Sequence, residues 1–154
     1  MKKQRGLASV ELAFIAVAFL TILLGAIEVS RMLFTWNTLD AVTQRAVRVA
    51  AVCPPNHSRI LQVASFGSPT GSSTILPGFT TANLQIQYLD NGFAVMTDLT
   101  NIEDMRYVRA SIINYQHRLA IPFISDAIAS SPQFTSTIPV ESLGFVPFDG
   151  VRTC

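Results

Sequence analysis

An unbroken apolar run over residues 7–27, LASVELAFIAVAFLTILLGAI, constrains this chain more than any other feature, because Glu11 is its only charge. As a helix rising 1.5 Å per residue, the run reaches roughly 30 Å, the thickness of a bilayer's hydrocarbon core. A secretory signal has a shorter core, about 7–15 residues, followed by a small-residue cleavage site. No clean A-x-A site follows here, so the run predicts a retained single-pass anchor rather than a removed signal. Lys2, Lys3 and Arg5 precede Gly6. Short cationic flanks of this kind stay cytoplasmic, which sends the rest of the chain across.

Charge narrows the function further. After Gly6 there are eight arginines and no lysine against ten acidic residues, a balance of −2. No basic face is left to hold phosphodiesters, so nucleic acid is not an expected partner. Enzyme signatures are missing too. Residues 67–71, GSPTG, put serine in the wrong place for a nucleophile elbow, and there is neither a P-loop nor a G-x-G-x-x-G. His57 and His117 lie far apart in sequence, and zinc needs three or four converging ligands. The reading is a non-enzymatic protein with no cofactor and no metal. Asp98, Glu103 and Asp104 form a small acidic group without EF-type spacing, which a solvated turn explains.

Helical periodicity continues past the apolar run. Met32, Leu33, Trp36, Leu39, Ala46, Val49 and Ala50 recur at helical spacing, with Arg31, Asp40, Gln44, Arg45 and Arg48 between them. Glu28 and Arg31 can pair at i,i+3. Pro54 and Pro55 end the pattern. The prediction is one helix of about 45 residues, roughly 65–70 Å long, whose second half needs a partner surface. Trp36 either marks the membrane interface beside Phe34 or packs on the domain.

Beyond the prolines, residues 58–66 suit a short helix and residues 67–78 a loop. Residues 83–89 alternate as a half-buried strand. Asp90-Asn91-Gly92 signals a hairpin, with residues 93–96 as the return strand. Residues 101–104 are a polar break. Residues 107–115 alternate again, with Val108, Ala110, Ile112 and Asn114 on one face. Residues 122–129 read as an amphipathic turn or helix, and residues 134–140 as a last strand with Pro139 at an edge or end. The expected fold is α+β: a long N-terminal transmembrane and amphipathic helix packed on a small antiparallel sheet. Its parts are a basic leader (1–6), a membrane span (7–27), an amphipathic continuation (28–52) and an exported domain (53–154). Cys53 and Cys154 in an exported chain suit one disulfide, the alternative being two unrelated thiols.

The junction Arg5-Gly6-Leu7-Ala8-Ser9-Val10-Glu11 carries the most specific signal. Glu11 is either a functional intramembrane carboxylate or an ordinary first-turn acid favoured by the helix dipole. Glycine followed five residues later by glutamate, ahead of a long apolar helix, resembles the class III leader of type IV pilins and pseudopilins. Residues 5–52 resemble the TadE-like minor pseudopilins of the Tad (Flp) pilus more closely. Gly25, Glu28 and Arg31 match that family's G-x-x-E-x-x-R step, and Ala46, Arg48 and Ala50 its A-x-R-x-A element. A weaker likeness covers residues 107–144. Leu12 stands where major Flp pilins carry tyrosine, and about a hundred residues follow the helix, which resembles an accessory subunit.

The resemblance implies an inner-membrane assembly component with a cytoplasmic N-terminus and a periplasmic or extracellular domain, which could enter the pilus. It implies cleavage between Gly6 and Leu7 by a prepilin peptidase, and a Glu11 that neutralises the new Leu7 amine of a neighbouring subunit. Other pilins, pseudopilins, Tad inner-membrane proteins and the lipid bilayer are the implied partners. The rival readings are an uncleaved, membrane-anchored binding domain of the envelope and a secreted protein with an ordinary signal peptide.

Overall fold

In the computed structural model, residues 4–66, 75–120, 128–145 and 154 are described. One helix, α1, runs without interruption over Gln4–Val52. Its 49 residues extend for roughly 70 Å at 1.5 Å per residue. No proline interrupts it, and Thr21, Ser30, Thr35 and Thr38 turn their hydroxyls back to the carbonyls four residues earlier at 2.7–3.0 Å. Apolar side chains from Leu7 to Leu24 are open to the surroundings on every side. The helix is long and apolar enough to cross a membrane.

The second half of α1 is a wall of the domain. Leu39, Val42, Thr43, Ala46, Val47, Ala50 and Ala51 are all at most 1% exposed. Leu39, Thr43, Ala46 and Ala50 recur at 4-3-4 spacing, with Val42, Val47 and Ala51 beside them, which places all seven on one stripe of the helix. The stripe packs against a three-stranded antiparallel sheet of order β1-β2-β5, formed by Leu84–Leu89, Tyr107–Ile112 and Thr135–Pro139. Central strand β2 turns Val108, Ala110 and Ile112 inward, and these are 0%, 0% and 6% exposed. Ala46 and Ala50 of the helix and Ala110 of β2 are fully buried in the same core, which keeps side-chain bulk small where helix and sheet pack. A short helix α2 (Ser58–Ala64) adds Ile60 and Ala64 to the same core. Its N-cap is His57, whose Nδ1 accepts from the Arg59 amide at 3.2 Å. Trp36 packs at the edge of this core. That decides between the two readings of Trp36 in favour of the domain.

The helix end is fastened by groups remote in sequence. The last four carbonyls of a helix lack intrahelical partners. Val49 O still takes the Cys53 amide four residues on at 2.9 Å, but Ala51 O takes that of Glu141 at 2.9 Å. Ala50 O takes the Tyr88 hydroxyl at 3.3 Å, and Val52 O the Ser142 hydroxyl at 3.4 Å. Burial pushes the Tyr88 phenol up to about 12, so it stays a donor. Cys53, one residue beyond the helix, forms the disulfide with Cys154, and the Arg59 guanidinium also bonds the Cys154 carbonyl at 3.3 Å.

Three details differ from the sequence reading. Residues 93–96 return along β1 as the hairpin reading expects but do not make a full strand: Leu89 and Val95 form an isolated antiparallel bridge, flanked by the Asp90 amide on Ala94 O at 3.1 Å and the Met96 amide on Tyr88 O at 2.9 Å. Asp90 Oδ1 takes the amides of Gly92 and Ala94 at 2.8 and 2.9 Å, and Phe93, not Gly92, adopts the left-handed conformation, with φ 62°. This is a three-residue loop whose left-handed position usually carries glycine. Phe93 is held there by stacking on Tyr107, with ring centroids 4.4 Å apart. Next, β2 ends at Ile112, and Asn114 has φ 53° and so leaves the strand face. Asparagine tolerates that region. Finally, Ala129 belongs to strand β4 (Ile128–Ser130), paired antiparallel with β3 (Gln116–Arg118), and not to a helix. An amphipathic pattern this short takes whichever backbone partner is present, and β3 supplies one. Residues 122–127 of that expectation lie outside the described residues.

The disulfide closes a loop with a sequence separation of 101. Cys154→Ser should lower unfolding stability by about 2–4 kcal/mol. Chemical denaturation in detergent measures this. Non-reducing peptide mapping of envelope protein should recover Cys53 and Cys154 linked, and two free thiols there would contradict the bridge.

Candidate functional site

At Ile27 the apolar run of α1 ends, and Glu28 is the first residue beyond it. Glu28 is only 6% exposed. Its Oε2 accepts from Arg31 Nη1 at 2.9 Å, one helical turn on, as the i,i+3 spacing predicts. The same oxygen takes the Ala120 amide at 3.2 Å, and Oε1 lies 3.3 Å from His117 Nε2. An ionised carboxylate only accepts, so His117 donates through Nε2. His117 is 4% exposed on β3, with exposed Gln116 and Arg118 on either side of it. Strand alternation is therefore what turns the histidine toward α1.

Burial acts to raise the Glu28 pKa, but the Ala120 amide, His117 and Arg31 together outweigh it and hold the carboxyl below its ordinary value. A buried charge is tolerated only with such partners. The cluster joins the small β3–β4 sheet to α1 more than three helical turns before the main core begins at Leu39. The sequence paired Glu28 with Arg31, whereas His117 and Ala120 were missed. Gln116, His117 and Arg118 are all polar, so only strand alternation there, with the histidine between glutamine and arginine, could have suggested that it faces inward.

The other predicted residues are held apart. Gly6 and Leu7 lie in the first turns of α1, and Leu7 is 75% exposed. Glu11 is exposed one turn further on, about 25 Å along the axis from Glu28. Gly25 faces open space, where an added Cβ would meet nothing within 4 Å. Among the described residues nothing packs against that position to require glycine. Cys53 and Cys154 meet at the opposite end of α1. Among the described residues no three of His, Cys, Asp and Glu lie close enough together to hold a metal ion. Asp98 instead bonds the Thr100 amide and hydroxyl at 2.9 and 2.6 Å.

The apolar, Glu11-bearing half of α1 and the Glu28–Arg31 step lie inside one segment that a known family shares: the model of the TadE-like protein family matches residues 6–48. That stretch of α1 is TadE-like. The TadE-like segment contains Gly6, Leu7, Glu11, Gly25, Glu28 and Arg31, and it ends four residues before the helix does. His117, Ala120 and the three-stranded sheet lie outside it. No curated protein and no solved structure matches the chain.

The carboxyl of Glu28 has a lowered folded-state pKa, so its contribution to stability is complete above the ordinary value of 4.5 and is lost as the pH falls through the folded value. Protection of the residue 116–118 amides against hydrogen exchange should therefore fall on acidification below pH 4.5. Glu28→Ala should weaken the β3–α1 contact by about 3–5 kcal/mol at neutral pH, since it strands His117 and the Ala120 amide. It should also flatten the acid dependence. An unchanged exchange profile in the variant would remove this role from Glu28.

Proposed function

We propose that the chain is a minor pseudopilin, a non-enzymatic structural or assembly component of a Tad-type pilus, cut after Gly6 by a prepilin peptidase. The TadE-like segment over residues 6–48 is the observation that carries this reading. The exposed apolar half of α1 supports it, since such a surface needs lipid or other apolar helices around it. In this reading residues 1–6 stay in the cytoplasm, residues 7–27 span the inner membrane, and the domain faces the periplasm or the exterior. The partners are the peptidase, other pilins and pseudopilins, Tad inner-membrane proteins and the bilayer.

The chemistry follows from the sequence at the junction. Gly6 leaves the scissile backbone unshielded for a membrane peptidase. The Gly6–Leu7 bond also lies near the start of α1, where the first amides have no intrahelical acceptors and the helix is easiest to open. Cleavage exposes the Leu7 ammonium. Glu11 of a neighbouring subunit neutralises it within a bundle of apolar helices, where an unpaired charge is costly. No lysine follows Gly6, so the Leu7 amine is then the only primary amine in the chain.

Mass spectrometry of the N-terminus tests the reading. Protein from cells with an active Tad system should begin at Leu7, and Gly6→Leu should remain uncut while still inserting in the membrane. Under denaturing conditions, amine-reactive label should reach the mature protein only at Leu7. A start at Met1, with Lys2 and Lys3 labelled, would favour the uncleaved anchored binding domain instead. A start near residues 27–30 would mean an ordinary secreted protein. Glu11→Ala should be cut normally yet fail to co-purify with partner subunits.

A further inference from the structure

Beside the Glu28 cluster lies an open groove of about 970 Å³ between α1 and the residues around β3. It is at the upper end of ligand-sized sites, roughly 300–1,000 Å³. Along α1 its wall is apolar up to Ile27 and then carries Arg31 between apolar and polar residues, Phe34 and Thr35 following it. Leu23 and Ile27 belong to the apolar run and are 44% and 50% exposed. Arg31 follows one turn later, and Arg118 of β3 lines the same groove. Among the described lining residues there is no aspartate or glutamate. Arg31 gives one nitrogen to Glu28 and keeps 41% of its side chain exposed. Arg118 is exposed, and its side chain has no hydrogen-bond or ion-pair partner among the described residues.

The depth of these groups matters. Arg31 stands four residues beyond Ile27, about 6 Å along the axis. The polar layer of a bilayer leaflet is roughly 5–8 Å deep beyond the hydrocarbon core. A groove that is apolar at Ile27 and cationic at Arg31 therefore has the polarity order of a phospholipid at the depth where a phospholipid sits. Guanidinium groups match phosphate oxygens in charge and geometry. A free phosphate would leave the apolar wall wet, and an apolar helix would leave the Arg118 guanidinium dehydrated and unpaired.

We propose that the groove between α1 and β3 seats one anionic phospholipid of the leaflet on the domain's side, with its phosphate on Arg31 and Arg118 and the start of an acyl chain on Leu23 and Ile27. The inference rests on α1 spanning a membrane and does not depend on cleavage or on pilus assembly. Seating a lipid there fixes the domain's height and rotation against the bilayer surface, because Arg118 belongs to the domain and Leu23 to the span.

Native mass spectrometry of the full chain, in mild non-ionic detergent with equimolar phosphatidylglycerol and phosphatidylcholine of matched acyl chains, tests this. The wild type should retain one phosphatidylglycerol in about tenfold excess over phosphatidylcholine. Arg118→Gln should bring the two near parity, with an unchanged melting profile. Arg48→Gln, exposed and far along α1, should keep the preference. Equal retention of both lipids by the wild type, an unaffected Arg118→Gln, or the same loss in Arg48→Gln would each overturn the site. So would displacement of the lipid by millimolar inorganic phosphate, or a lipid-free dimer. Resistance of the protein to alkaline carbonate extraction separates a failed lipid site from a failed anchor.

Discussion

The domain depends on the stripe of α1 from Leu39 to Ala51. A three-stranded sheet cannot bury its own inner face, and here the helix is the second layer that does so. Val108, Ala110 and Ile112 are buried because α1 lies over them, and the α1 stripe is dry because the sheet lies over it. The small residues at the contact let backbone groups of the helix end reach the domain. That is why Tyr88, Ser142 and the Glu141 amide can take up carbonyls that would otherwise need water.

A helix of this length fastened only at its far end would leave the β3–β4 sheet without support. Glu28 supplies a second attachment. It works because three donors of different origin meet one carboxylate: a guanidinium from the same helix, an imidazole from β3 and a backbone amide just beyond it. Burial by itself would push the carboxyl's pKa up, and the donors that docking brings outweigh it, so the docked cluster holds a charged carboxylate. Helix and domain are thus linked at the residue where the apolar run gives way to polar sequence.

This arrangement gives the two ends of α1 different surroundings. From Leu7 to Leu24, α1 presents exposed apolar side chains all round, with Glu11 as the one carboxylate among them. Residues 28–52 belong to the domain. The TadE-like segment runs across that boundary and includes most of the stripe, so the match covers both the apolar half of α1 and most of the surface on which this domain is built.

Much of this could be read from the residues alone. The length and character of α1, its end before Pro54, the Glu28–Arg31 pair, β1, β2 and β5 and the Cys53–Cys154 pairing all follow from local rules: hydrophobic period, proline chemistry and compartment. The failures share a cause. The return strand after Gly92, the fate of Asn114 and strand β4 depend on which distant segment supplies hydrogen bonds, and local pattern does not carry that. The same holds for the site. Sequence determined that Glu28 would find Arg31, since a helix brings i and i+3 together whatever surrounds it. Only the tertiary structure decided that His117, 89 positions away, would complete the cluster, because strand alternation says that a side chain turns inward but not what it will meet.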